Sequence, residues 1–91
     1  MKLLLLSGWL TKEVAGLVVD EKGAPVKGVS IVCENLTDGS IFTSTTDEKG
    51  NYVVNVGEGT YQITASLGER KDAVYRFTIG SGGRELNFTL Q

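Results

Sequence analysis

The sequence predicts an all-β domain: seven short antiparallel strands in a two-layer sandwich, preceded by an N-terminal segment that is a candidate extra strand. Three observations carry this. From Glu13 onward apolar and polar residues alternate with period 2, and Gly, Asp or Asn interrupts the alternation at regular intervals. Two polar turns, Thr46-Asp47-Glu48-Lys49-Gly50-Asn51-Tyr52 and Gly59-Thr60-Tyr61, each deliver an aromatic residue into a new alternation. No segment keeps an apolar period of 3.6 over ten or more residues, so essentially no helix is expected.

The strands are expected near Glu13 to Val19, Val29 to Asn35, Ile41 to Thr45, Asn51 to Val56, Gly59 to Leu67, Ala73 to Ile79 and Arg84 to Leu90. The first ends at Asp20, where Asp-Glu-Lys-Gly opens a turn closed by Gly23 and followed by Pro25 and Gly28. In the second, Val29, Ile31 and Cys33 share one apolar face. Asp-Glu-Lys-Gly recurs before the fourth strand, where Asp47 can accept from amides two residues on, Gly50 can take a positive φ, and Tyr52 starts the strand. The fifth strand alternates most cleanly, Tyr61, Ile63, Ala65 and Leu67 against Thr60, Gln62, Thr64 and Ser66. Tyr75, Phe77 and Ile79, then Leu86, Phe88 and Leu90, form the last inward sets, and Gly80-Ser81-Gly82-Gly83 between them reads as a hairpin loop. Two sheets about 10 Å apart would let these sets interdigitate. Truncating Tyr61 or Phe88 to Ala is expected to cost on the order of 3 to 5 kcal/mol.

Ninety-one residues make one domain. Apolar content of 41 % beside 22 % charged residues is ordinary for a globular chain. A net charge of -2, with nine basic residues scattered singly, leaves no footprint for nucleic acid or an anionic membrane. One cysteine and no histidine exclude an intrachain disulfide and the usual Cys/His zinc site. Cys33, without a basic neighbour, reads as a small buried hydrophobe.

Gly16-Leu17-Val18-Val19-Asp20-Glu21-Lys22-Gly23-Ala24-Pro25-Val26-Lys27-Gly28, the Thr46 to Tyr52 turn and Gly59-Thr60-Tyr61 together resemble the carboxypeptidase regulatory-like family of transthyretin-like sandwiches, over about residues 13 to 91. The resemblance implies the fold and export from the cell; it specifies activity hardly at all. Transthyretin-like hydrolases that open an oxidised purine ring would imply histidines and a C-terminal Tyr-Arg-Gly-Ser signature. This chain has neither, and Tyr75-Arg76 runs on into Phe77-Thr78.

Residues 1–12 precede that region, and Leu3-Leu4-Leu5-Leu6 with Trp9 is their distinctive content. The apolar run is short for a secretory signal and far short of a membrane span. Three readings are open: an edge strand covering the chain's own sandwich, a strand donated to a neighbouring subunit, or a truncated signal or artefact. A continuous leucine run buries both faces of a strand, which favours a buried partner, own or foreign.

Catalytic constellations are not found. Without histidine no Ser/His or Cys/His nucleophile pair forms, and the carboxylates sit in turns that already account for them. An internal isopeptide bond between a first-strand lysine and a last-strand asparagine is rejected, because the expected first strand has no lysine and alternation turns Asn87 outward. No cofactor is expected. Calcium is the weaker candidate, as Asp47 and Asn51, or Asp20 and Glu21, offer fewer than the six to eight oxygens it normally takes. The sequons Asn35-Leu36-Thr37 and Asn87-Phe88-Thr89 are both expected to face solvent and become glycosylation sites only in an exported chain.

The expectation is a non-enzymatic structural or interaction module, extracellular or on the cell surface. Its partners would be proteins, including its own copies, with self-assembly through Leu3 to Leu6 and Trp9. The alternative is an accessory carbohydrate- or peptide-binding sandwich, for which Trp9 and Phe42 would be the exposed aromatic platform.

Overall fold

The computed structural model describes residues 12–91, and the expectations for Leu3 to Leu6 and Trp9 lie outside the described residues. The strands are β1 (Lys12–Val19), β2 (Ser30–Asn35), β3 (Ile41–Thr45), β4 (Asn51–Val56), β5 (Gly59–Leu67), β6 (Arg70–Ile79), β7 (Arg84–Glu85) and β8 (Phe88–Thr89). One sheet has the order β4-β1-β7, with β8 also paired to β1; the other has the order β3-β2-β5-β6. All described secondary structure is strand or turn, as the absence of a helical period predicts.

Alternation translates directly into burial. In β4, Tyr52, Val54 and Val56 are buried while Asn51, Val53 and Asn55 are exposed. Along β5, Tyr61, Ile63 and Ala65 enter the core; Leu67, expected inside with them, is 37 % exposed beside the turn into β6. Cys33 is fully buried. Tyr61 lies between Phe42 and Phe77, with centroids 6.4 and 6.3 Å away, while Tyr52 and Phe88 approach to 6.0 Å. Such pairs add about 0.5–1.5 kcal/mol beyond area burial, and each of them joins strands within one sheet.

Three details differ from the expectation. The seventh strand is delivered in two pieces, β7 and β8, and both run parallel to β1 while the other ladders are antiparallel. The reason lies at Leu86-Asn87. Here the backbone crosses so close to Gly16 that a Cβ on Gly16 would stand 1.8 Å from the Leu86 carbonyl oxygen, and the Tyr52 hydroxyl donates to that same oxygen at 2.6 Å. Gly80 to Gly83 is therefore not a hairpin loop; it carries the chain from one sheet to the other. Finally, β6 starts at Arg70 and bulges: Tyr61 pairs with Phe77 but Ile63 pairs with Val74, and Arg76 takes φ 57°. The extra residue shifts the pleat, so Val74 packs on the core three residues before Phe77. The Tyr75 side chain lies outside the described residues.

β1 begins at Lys12, whose mostly buried side chain reaches within 4.0 Å of the Glu58 carboxylate. The first strand thus does contain a lysine. Asn87 meets the strand at Leu17, five residues or about 16 Å further on, so distance separates the two groups.

Candidate interaction surface

The two Asp-Glu-Lys-Gly turns are built alike. Asp20 Oδ1 accepts from Lys22 N–H at 2.9 Å and Ala24 N–H at 3.0 Å, and Asp47 Oδ1 accepts from Lys49 and Asn51 at the same two distances. Gly23 and Gly50 close the turns at φ 86° and 79°. The bonds to Ala24 and Lys22 hold the Asp20 carboxyl below its ordinary pKa. Each carboxylate thus has one oxygen committed to its own turn. Among the described residues no group of three acidic or cysteine side chains is placed to hold a metal ion.

The turns dock on each other. Val18 N–H donates to the Gly50 carbonyl, Pro25 bridges to Val19, and a Cβ on Gly50 would meet the Val18 carbonyl at 2.6 Å. Thr46, which sequence reasoning passed over, locks this end: its buried hydroxyl accepts from Val29 N–H at 2.9 Å and donates to the Val26 carbonyl at 2.7 Å, while Gly28 N–H donates to its carbonyl. A threonine just before an Asx turn was the available signal. At the Gly59 turn, the buried Tyr61 donates its hydroxyl to the Gly57 carbonyl at 2.8 Å.

The sequons behave differently. Asn87 is exposed, and its Oδ1 accepts from Leu17 N–H at 2.9 Å. Asn35, expected in solvent, is half-buried: its Oδ1 takes the Thr37 and Asp38 amides, and its Nδ2 faces Gly59. Phe42 is no open platform either, because its ring packs on the core against Tyr61.

The sheet edges differ in how they are protected. β6 carries Arg70, Lys71, Arg76 and the bulge, features that discourage edge pairing. β3 and β4 lie on the other side of the sandwich with no charge, proline or bulge. The Asp47 and Asn51 main chains face each other, with Asp47 N–H donating to the Asn51 carbonyl, so Leu17–Asn51 is a non-hydrogen-bonded pair of the β1–β4 ladder. Antiparallel ladders alternate. Ala15–Val53 and Glu13–Asn55 are then non-bonded pairs as well, and the N–H and C=O groups of Val53 and Asn55 point out from the edge. On the outer face beside it lies an open depression of about 410 Å³ lined by Ala15, Leu17 and Val53, with Asn51, Glu85 and Asn87 at its polar positions.

The model of the carboxypeptidase regulatory-like domain matches residues 13–91. The chain belongs to that family. This carboxypeptidase regulatory-like domain is 26 % identical over 77 residues to a viral protein, Structural protein 27 of the isolate Australia/Victoria, covering 85 % of this chain and only 14 % of the viral protein. Among solved structures, the major pilin subunit of Bacillus cereus superposes with TM-score 0.68 at 18 % identity, over 90 % of this chain and 30 % of the pilin. The Bacillus anthracis TIE protein gives 0.67 at 19 % identity, over 90 % of this chain and 17 % of that one. The dioxygenase domain of a dioxygenase carbohydrate-binding protein fusion from Streptomyces sp. SirexAA-E gives 0.66 at 10 % identity, over 90 % and 80 %. At these identities the structural likenesses establish the sandwich fold.

Proposed function

We propose that this domain is a non-enzymatic structural subunit of an extracellular or surface assembly, and that it joins its neighbours by strand addition. The observation that carries the reading is the unguarded β3 and β4 side, in a chain whose N-terminal segment contains Leu3-Leu4-Leu5-Leu6. An added strand satisfies the outward backbone groups of an edge, while its apolar side chains supply area at about 25 cal/mol per Å² buried. A relative named as a viral structural protein and a fold neighbour named as a pilin subunit support the same class of role. Head-to-tail addition of this kind yields rings when the rotation closes and filaments when it does not.

Light scattering and electron microscopy of the full chain beside a chain lacking residues 1–11 test the proposal. Oligomers or filaments from the full chain alone are expected. If both stay monomeric and the shortened chain merely melts earlier, the segment belongs to its own domain and the assembly reading falls.

A further inference from the structure

Resting on that reading, we infer that the acceptor is the free edge of β4, and that its occupant is the Leu3–Leu6 segment of a second copy of this chain. The two sheets are unequal. Four strands, β3-β2-β5-β6, face a layer only three positions wide, β4, β1 and the β7/β8 pieces. On the β3 and β4 side, Phe42 and Ser44 point inward from β3 yet remain partly exposed, while Val54, from β4, is buried. A fourth strand beside β4 equalises the layers and covers Phe42.

The outer face of the same position explains why the leucines are consecutive. A strand added to most sheets needs apolar residues on one face only. Beside β4, the outer neighbour is Val53, 45 % exposed, backed by Ala15 and by Leu17 at 38 %. Alternate leucines would therefore meet Phe42 on the inside and extend the Val53 row on the outside. The β3 edge also has an outward apolar residue, Ile41, 60 % exposed, but the residue beside it on the next strand is Glu34 and its other outward residues are Thr43 and Thr45, so no apolar row continues behind it.

Chain topology points to a second copy. β1 begins at Lys12 beside Val56, where β4 ends and turns through Gly57 and Glu58 into β5. To lie along β4, the chain's own residues 1–11 would have to pass across that connection and run parallel to β4. Crossing connections at one end of a sheet are avoided, and parallel pairs are the less stable kind. A neighbour's segment approaches the edge under neither constraint.

The test uses full-length Val53→Pro and Thr43→Pro. Val53 donates no hydrogen bond to β1, so proline there spares the β1–β4 ladder and blocks only the outer edge. Loss of assembly in Val53→Pro, with circular dichroism unchanged and Thr43→Pro assembling like the parent, is the expected result. Assembly lost in Thr43→Pro and kept in Val53→Pro would move the acceptor to β3, overturning this inference and leaving the proposed function standing. A parent chain that stays monomeric overturns both. Should Val53→Pro fail to fold, oxidative cross-linking decides. Mixing Leu4→Cys chains with Asn55→Cys chains should give a mixed covalent dimer. No such dimer, or a cross-link confined to single chains of the doubly substituted protein, overturns the inference.

Discussion

Gly16→Ala is the most exacting test of how the last strands are held. The added methyl would lie 1.8 Å from the Leu86 oxygen, 2.7 Å from its carbonyl carbon and 3.0 Å from Asn87 Oδ1. Two of these atoms are main chain, so no side-chain rotation relieves the contact. The Leu86-Asn87 segment must retreat from β1, straining the Leu86 N–H to Ala15 bond, the Leu17 N–H to Asn87 bond and the Tyr52 hydroxyl to Leu86 bond, now 3.0, 2.9 and 2.6 Å. Overpacking costs about 1–3 kcal/mol, and each weakened hydrogen bond adds up to about 1 kcal/mol. A loss of about 1–6 kcal/mol follows, which for a domain of this size lowers Tm by at least about 4 °C. Urea titration measures it as a lower midpoint at unchanged slope. Gly82→Ala is the control: nothing lies within 4 Å of its added methyl, and it should stay within about 0.5 kcal/mol of the parent. A Gly16→Ala chain less than about 1 kcal/mol weaker than the parent would refute the account of this crossing.

Other outcomes follow from single groups. Thr46→Val should destabilise by about 1–3 kcal/mol, because the Val29 amide and Val26 carbonyl lose their hydroxyl partner; Thr46→Ser should recover most of this in the same urea titration. Burial pushes the Cys33 thiol up to about 11, so iodoacetamide at pH 8 should label it only in denaturant, and labelling of the native chain at the unfolded rate would contradict its buried placement. The Asp20 carboxyl is held low by the Ala24 and Lys22 amides, so its contribution to stability is present above the unfolded value, about 3.9, and is lost as pH falls through the lower folded value. The stability gap between the parent and Asp20→Ala should therefore close in strong acid; a gap that persists there would show that the ionised carboxylate is not its source.

Local physics made much of this fold legible. Tyr52, Val54 and Val56 announce a half-buried strand by spacing alone, and Asp20 and Asp47 announce their turns because an Asx turn is decided within five residues. What stayed hidden depends on partners distant in sequence. Nothing around Leu86 reveals that Gly16, seventy residues earlier, lets the backbone pass within contact distance. Nor does the run Ala73 to Ile79 show that an extra residue near Arg76 resets the pleat, since a bulge is a property of a pair of strands. The candidate surface was half legible: the leucine run raised a donated strand as one of three readings, but the lack of charge on β3 and β4 matters only once topology makes them edges.

The parallel seam between β1 and the β7/β8 pieces also fixes how the domain would bear load. Lys12 and Leu90 sit at opposite ends of this seam, because Val14 is in register with Arg84 and Val19 with Thr89. Tension applied at those two residues runs along the strands. It shears the Leu86 N–H to Ala15, Leu17 N–H to Asn87 and Leu90 N–H to Val19 bonds together, where a hairpin pulled from its open end would release its bonds one after another. Forced rupture is governed by the unfolding barrier, and here that barrier is sliding a whole seam at once.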